Sequence, residues 1–472
     1  MRTIISKDIL IYNPSQKIID WCNENIILNN PTYTNLKMMG KEDTIKRRHV
    51  PEKLNLFYQK SDCIIIPIGC LRAIWDCLKN DPYEIKFNEP HYIDLMYKEP
   101  VEPLYDYQEK AVETMLKARS GVLVAPCAAG KTRMGIEIMR RIGQKALWLC
   151  HTGDLLNQAK DDILEQYPDA KVSLTTEGKL DISGDIVIST VQTLDKIDPS
   201  LYKNEFNVVI NDECAHVASA PTQMKMFGRV LSNIPARFKY GLTATPARSD
   251  GLTKSMYAYL AMSIDGKFQP TYKIDRSEVK TIPCIHERID LYNGYDGYKI
   301  ADLYDSSGMM VYNNLITVLC DDLERTNKIL DKVEECYKEG RKQVILSGRV
   351  EHCEQIVELL QERGINALLC TGKVSAKKRK AILTLEEDWD VIVATYSLLK
   401  EGVSIKQLDT LHLATPIRSK NDRGGMIIQC AGRIERYLEG KKQPIVYDYV
   451  DTDIPYCEKA YTDRKRALVR RF

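Results

Sequence analysis

Residues 125–132 read Ala-Pro-Cys-Ala-Ala-Gly-Lys-Thr, so that a glycine, an ammonium group and a hydroxyl stand in succession. In a loop that opens a helix, this trio suits a phosphate chain. Backbone N–H groups and the positive helix end face the anion, Lys131 reaches the β- and γ-phosphates, and the Thr132 hydroxyl reaches Mg²⁺. The flanks fit, because the apolar run Gly121 to Val124 precedes the loop and Arg133 to Ile142 carries apolar residues at helical spacing. Ala128, Ala129, Gly130, Lys131 and Thr132 are therefore candidate nucleotide-binding residues, and the candidate chemistry uses a nucleoside triphosphate. The usual pattern begins with glycine where Ala125 stands, and Gly-Lys-Thr alone is more often an ordinary loop.

Two further groups supply what hydrolysis needs. The apolar run Val208-Val209-Ile210 leads into Asn211-Asp212-Glu213. Asp212 at such a strand end holds Mg²⁺ through water, and Glu213 orients or deprotonates the attacking water. Taken alone, an Asp-Glu pair more often marks a helix N-terminus. Gln429 to Arg436 places Arg433 and Arg436 three residues apart. On a helix they share a face, and arginines across a cleft from a triphosphate stabilise the transferring γ-phosphate, by ~10³–10⁵ in rate for a well-placed finger. The plain alternative is a surface helix with ordinary charges. Hydroxyls of the run Tyr240 to Pro246 are placed to bond the acidic pair.

The elements that must position these groups alternate. Gly121–Ala125, Ala146–Cys150, Asp185–Ser189, Asn207–Asn211 and Tyr240–Ala244 form one set of short apolar runs. Gln343–Ser347, Ala367–Cys370, Val391–Ala394, Leu411–Ala414 and Ile445–Tyr447 form a second. Helical patterns lie between them, so the expected class is α/β, with two tandem doubly wound parallel sheets. The expected division is an accessory α+β domain over 1–100, a first sheet domain over 101–275, a connector over 276–324 and a second sheet domain over 325–472.

A chain of 472 residues with 44% hydrophobic and 28% charged residues fits a globular protein of two to four domains. No apolar run approaches a membrane span. The N-terminus is broken by charge too early for a secretion signal, so a cytoplasmic, reducing compartment is expected. The 14 cysteines include no Cys-x-x-Cys pair, which disfavours a zinc ribbon. A net charge of +2 argues against a histone-like coating protein and leaves room for a local basic groove. The basic runs Lys46-Arg47-Arg48, Lys377 to Lys380 and Arg464 to Arg466 are each, alone, more often solvated faces. The abundance of Ile, Lys, Asn and Tyr fits an AT-rich genome, such as that of a phage or low-GC bacterium.

Together these motifs resemble superfamily 2 helicases and translocases. Tyr107-Gln108 is similar to the adenine-reading Q motif, Ala125 to Thr132 to motif I, and Leu149 to Thr152 with Leu155, Leu156 and Gln158 to motif Ia. Asp212-Glu213 resembles motif II, Thr243-Ala244-Thr245 motif III, Ser347 to Val350 motif IV, Thr395 through Glu401-Gly402-Val403 motif V, and Gln429 to Arg436 motif VI. The run Gly241 to Arg248, followed by Asp250-Gly251-Leu252, is similar to the XPB-like and phage UvsW-like branch. The resemblance implies two RecA-like domains and a DNA-directed ATPase that uses ATP and Mg²⁺ and works in repair or recombination. Gln108 and Gly402 would line the nucleotide, Thr132 and Asp212 would hold the metal, and Glu213, Gln429, Arg433 and Arg436 would carry catalysis. Duplex, forked or branched DNA is the expected partner, RNA the lesser one, and the expected state a monomer.

The chain departs from the family pattern at Ala128, where most members carry Gly, at Ala215, where His or Asp is usual, and at Ser404, where Asp is frequent. Ala215 removes a side chain that would link motif II to the second domain unless His216 substitutes. Two other readings follow: an RNA helicase of the same fold, and a nucleotide-gated DNA clamp that barely turns over. A restriction motor would need its nuclease on another subunit.

Overall fold

The computed structural model describes residues 1–215, 221–244, 251–292, 294, 303–304, 310–383, 388–396, 405–417 and 425–469. The chain divides into two compact units, Met1–Glu278 and Val279–Phe472.

In the first unit, seven strands run in the order Val172–Thr175, Ile186–Thr190, Ala146–Cys150, Val208–Asn211, Phe238–Thr243, Gly121–Val124 and Tyr272–Lys273. All neighbouring pairs are parallel. Parallel strands covered on both faces read as continuous apolar runs, and Gly121–Val124, Ala146–Cys150 and Val208–Asn211 are buried throughout. The expected strands of this sheet are present, with ends shifted by one or two residues. Tyr272–Lys273 and Val172–Thr175 were not among those expected.

The N-terminal residues build a five-stranded sheet in the order Tyr58–Gln59, Cys63–Pro67, Asp8–Tyr12, Arg2–Ile5 and Tyr83–Ile85. Its apolar side chains, Ile9, Ile11, Ile64 and Ile66 among them, join one core with Val122, Leu147, Leu149 and Val209 of the parallel sheet. Arg72 fixes the junction by donating to the carbonyls of Ala118, Ser120 and Met262. Gly69 lies so close that an added Cβ would stand 2.3 Å from the Tyr257 carbonyl oxygen.

In the second unit, six parallel strands run in the order Ile285–Leu291, Ile445–Asp451, Thr410–Leu413, Gln343–Ser347, Val391–Thr395 and Ala367–Cys370. The edge strand Ile285–Leu291 and the helix Tyr312–Asp321 lie within the span read as connector. Two buried ion pairs brace this unit: Arg325 with Asp451, and Arg464 with Asp448. Among the described residues, no helix is long and apolar enough to cross a membrane.

Candidate active site

The candidate site of the first unit lies at the carboxyl ends of three neighbouring strands, where doubly wound sheets bind ligands. Phe238–Thr243 stands between the phosphate-loop strand Gly121–Val124 and the acidic strand Val208–Asn211. Backbone bonds stitch their ends together. Ala125 N–H donates to the Thr243 carbonyl at 3.0 Å, Cys214 N–H to Leu242 at 2.9 Å, and Asp212 N–H to Leu149 at 3.0 Å.

The loop turns twice through the left-handed region, at Ala128 (φ 68°) and Gly130 (φ 77°). Gly130 then serves as N-cap of the helix Lys131–Ile142. Glycine is required there on two counts, its positive φ and the Gln108 Nε2 that a Cβ would meet at 2.4 Å. Gln108 is buried, donates from Nε2 to the Ala129 carbonyl at 2.9 Å, and accepts the Tyr105 N–H at 3.1 Å. Tyr107 donates its hydroxyl to the same Ala129 carbonyl at 3.3 Å. The residue read as adenine-contacting thus also clasps the loop from behind.

Lys131 and the acidic pair converge. The Lys131 Nζ lies 3.3 Å from Glu213 Oε1, and both side chains are largely shielded. Glu213 holds a positive φ of 48°, rare for a side chain of this size, which places its carboxylate beside the loop. Its N–H donates to Asp212 Oδ1 at 3.0 Å. Burial first, then the neighbouring Glu213 charge, pushes the Asp212 carboxyl up to about 7 against the opposing pull of Lys131. Together with the Thr132 hydroxyl, the two carboxyl groups offer hard oxygen donors. Mg²⁺ takes one or two such carboxylates together with substrate phosphates. Among the described residues, no three His, Cys, Asp or Glu side chains form a protein-only metal cage. The residues present therefore fit an Mg²⁺-nucleotide.

Behind the loop helix, the buried Glu137 carboxylate accepts from Arg140 Nη2 at 2.6 Å, Arg141 Nε at 2.6 Å and the Tyr167 hydroxyl at 2.7 Å. Burial alone would raise its pKa, but these donors outweigh it and hold the carboxyl below its ordinary range. Arg141 carries the network on to Glu109 in the Gln108 helix. The sequence reading missed this brace, although Glu137, Arg140 and Arg141 stand at the i, i+3, i+4 spacing that could have revealed it.

In the second unit, Gln429 is buried on the helix Gly425–Ile434, and its Oε1 has no hydrogen-bond partner among the described residues. Arg433 sits in the last turn of that helix. Arg436 corrects the expectation of a shared helical face, because the helix ends at Ile434. Beyond it the backbone partners change: Thr281 bridges Arg436, and Ile282 N–H donates to the Glu435 carbonyl at 2.9 Å. The buried Glu435 carboxylate accepts the Cys284 N–H at 3.0 Å, and Lys441 donates to the Arg436 carbonyl at 3.0 Å. In motif IV, Gly348 N–H donates to Thr415 Oγ1 at 2.9 Å. Gly402, Glu401, Val403, Ser404, His216 and Thr245 lie outside the described residues.

Two family descriptions match the chain: "Type III restriction enzyme, res subunit" over residues 102–248 and "Helicase conserved C-terminal domain" over residues 324–437. A protein of Acanthamoeba polyphaga mimivirus, named among the ATP-dependent RNA helicases, is 25% identical over 73% of this chain and 63% of its own length. The ATP-dependent DNA helicase uvsW of Enterobacteria phage T4 is 25% identical over 77% of this chain and 72% of its own. The DNA 3'-5' translocase XPB2 of Sulfurisphaera tokodaii is 28% identical over 51% of this chain and 52% of its own. The chain thus spans less than two thirds of the length of two of these three relatives. A solved structure of S. cerevisiae Dbp5 bound to RNA and ADP BeF3 has a TM-score of 0.57 at 13% identity, covering 78% of this chain and 88% of that one, which is a likeness of fold. With both helicase domains matched in order and the phosphate loop set beside its acidic pair, the chain belongs to the superfamily 2 helicases of the XPB/UvsW type.

Proposed function

We propose that this chain is an ATP-dependent DNA helicase or translocase that remodels duplex or branched DNA in repair, recombination or replication. The observation that carries the ATPase reading is the Lys131–Glu213 pair beside Asp212, at the carboxyl ends of two strands with Phe238–Thr243 between them. When ATP binds, Lys131 exchanges Glu213 for the β- and γ-phosphates, and Glu213 is released to orient the attacking water. Thr132 and Asp212 would hold Mg²⁺, which would supply neutralisation of the charge developing on the phosphates. Gln108 and Gly402 serve the nucleotide, and Gln429, Arg433 and Arg436 supply the second unit's contribution at the γ-phosphate. Grip on nucleic acid comes mainly from phosphate contacts and so is salt-dependent and weakly sequence-dependent.

The relatives' names divide, uvsW and XPB2 being named for DNA and a mimivirus and an African swine fever virus protein for RNA, and DNA is favoured by the likeness of the run Gly241 to Leu252 to the XPB-like branch. The mimivirus relative's name supports the second reading, an RNA helicase. The test is ATP hydrolysis by the purified chain, alone and with single-stranded DNA, duplex DNA, a four-way junction or RNA. Stimulation by forked or junction DNA supports the proposal, and stimulation by RNA alone replaces it with the second reading. Lys131→Ala is expected to abolish turnover, and normal hydrolysis by that variant would remove Lys131 from the site.

A further inference from the structure

Residues 30–52 leave the N-terminal region as a projecting helical arm. At its base, the strands Ile27–Asn29 and Lys53–Asn55 pair antiparallel, with Leu28 opposite Leu54. Asn30 closes the base. Its N–H donates to the Glu52 carbonyl at 3.0 Å, its Nδ2 to the Pro51 carbonyl at 2.7 Å, and its Oδ1 caps the first helix by accepting from Thr32 N–H at 3.0 Å. The arm itself is two helices, Pro31–Met38 and Glu42–Arg47, joined through Gly40 at a φ of 67°. Neither helix contains a buried residue. Helices this short do not persist in isolation, so the base and the turn give the arm its shape, with no core of its own.

The turn carries two adjacent apolar side chains, Met38 at 81% exposure and Met39 at 66%. A single exposed apolar residue needs no explanation, but two together on a projection are an unsatisfied surface. Lys37 and Lys41 flank them in the chain, and the arm also exposes Lys46, Arg47 and Arg48. The acids Glu42 and Asp43 and the bases Lys46 and Arg47 complement the dipole of the second helix. That accounts for those four residues, and Lys37 in the last turn of the first helix is accounted for in the same way, which leaves Lys41, Arg48 and both methionines unexplained. A flexible apolar pair flanked by cations matches a nucleic-acid junction, which offers phosphates to the cations and a partly unstacked base step to the apolar wedge.

We propose that this arm is a strand-separating pin for forked duplex DNA: its cations hold the backbones and Met38 and Met39 wedge against the terminal base pair. The proposal rests on the reading of the chain as a DNA-directed motor. Leu28 and Leu54 at the arm's base belong to the same core as the phosphate-loop strand, so the pin is anchored in the unit that carries Lys131.

The test uses the full chain and a fork with 2-aminopurine at the junction. Met38→Ser with Met39→Ser is expected to slow fork opening about tenfold while single-stranded-DNA-stimulated ATPase stays within about twofold. Met38→Leu with Met39→Leu, which keeps the apolar wedge, is expected to open forks as the parent does. Lys41→Gln with Arg48→Gln is expected to flatten the dependence of log affinity on log salt by about 2. All these positions are exposed, so thermal unfolding should not move. Fork opening by the serine variant at the parental rate, or a loss matched by an equal loss of stimulated ATPase, overturns the pin alone. A parent protein whose ATPase no DNA stimulates overturns the motor reading and the pin with it.

Discussion

Ala128 poses a small energetic question at the centre of the phosphate loop. A side chain in the left-handed region costs roughly 1–2 kcal/mol, and glycine there would relieve it. Glycine also adds unfolded-state entropy, worth about 0.4–1 kcal/mol in the opposite direction. The difference favours glycine slightly, so Ala128→Gly is expected to raise the denaturant midpoint a little and to leave ATP turnover at or above its present level. A clear loss of stability would mean that the methyl makes a contact worth more than the strain. Lys131, Thr132 and Asp212 were legible from spacing because a phosphate loop and its acidic strand are local signals. The Lys131–Glu213 pair was not, since it needs the positive φ of Glu213 and a strand order that brings two distant segments to one edge. Gln108 was expected on the nucleotide side, and its clasp on Ala129 depends on the packing of a helix whose position no local pattern states.

Between elements, the strands buried on both faces were legible because apolar residues dominate their runs. The edge strand Ile285–Leu291 was not, as His286, Glu287, Arg288 and Asp290 break its apolar pattern, and edges carry charge where central strands cannot. The helix of motif VI was readable but its end was not, because the segment around Thr281 and Ile282, remote in sequence, takes over the backbone bonds beyond Ile434. Inside the second sheet, His412 hydrogen-bonds Tyr449 and Gln343, each at 2.9 Å, and burial lowers its pKa to about 3. His352, between Ser347 and Thr326, is likewise lowered to about 3 by burial. Both are neutral when folded and take up a proton near pH 6.5 when unfolded. The unfolded state therefore binds more protons between pH 6.5 and 3, and stability falls as pH drops through that window. Each histidine contributes a slope approaching 1.4 kcal/mol per pH unit. Thermal unfolding of His412→Gln measured from pH 7 to 4.5 should show a flatter pH dependence than the parent. An unchanged slope would mean that His412 gains its proton while folded.

For the whole molecule, the decisive matter is which parts unfold together. The N-terminal sheet and the first parallel sheet have separate hydrogen-bonded ladders but one continuous apolar core. Removing either would expose the partner face of the other, and Arg72 would leave three carbonyls without their donor. The chain has four tryptophans, and their placement makes this measurable. Trp21 and Trp75 pack against the shared core from the N-terminal side, Trp148 is buried in the first parallel sheet, and Trp389 is buried in the second unit. In variants that keep one tryptophan each, Trp21, Trp75 and Trp148 are expected to report a single denaturant midpoint, while Trp389 follows the second unit's own transition. If Trp21 and Trp75 lost their native signal well before Trp148, the N-terminal sheet would be an independent appendage. An arm on such an appendage could bind a fork, but force generated around Lys131 would reach it only through a flexible joint. Coincident transitions are thus the physical condition for the arm to act as a pin on the motor.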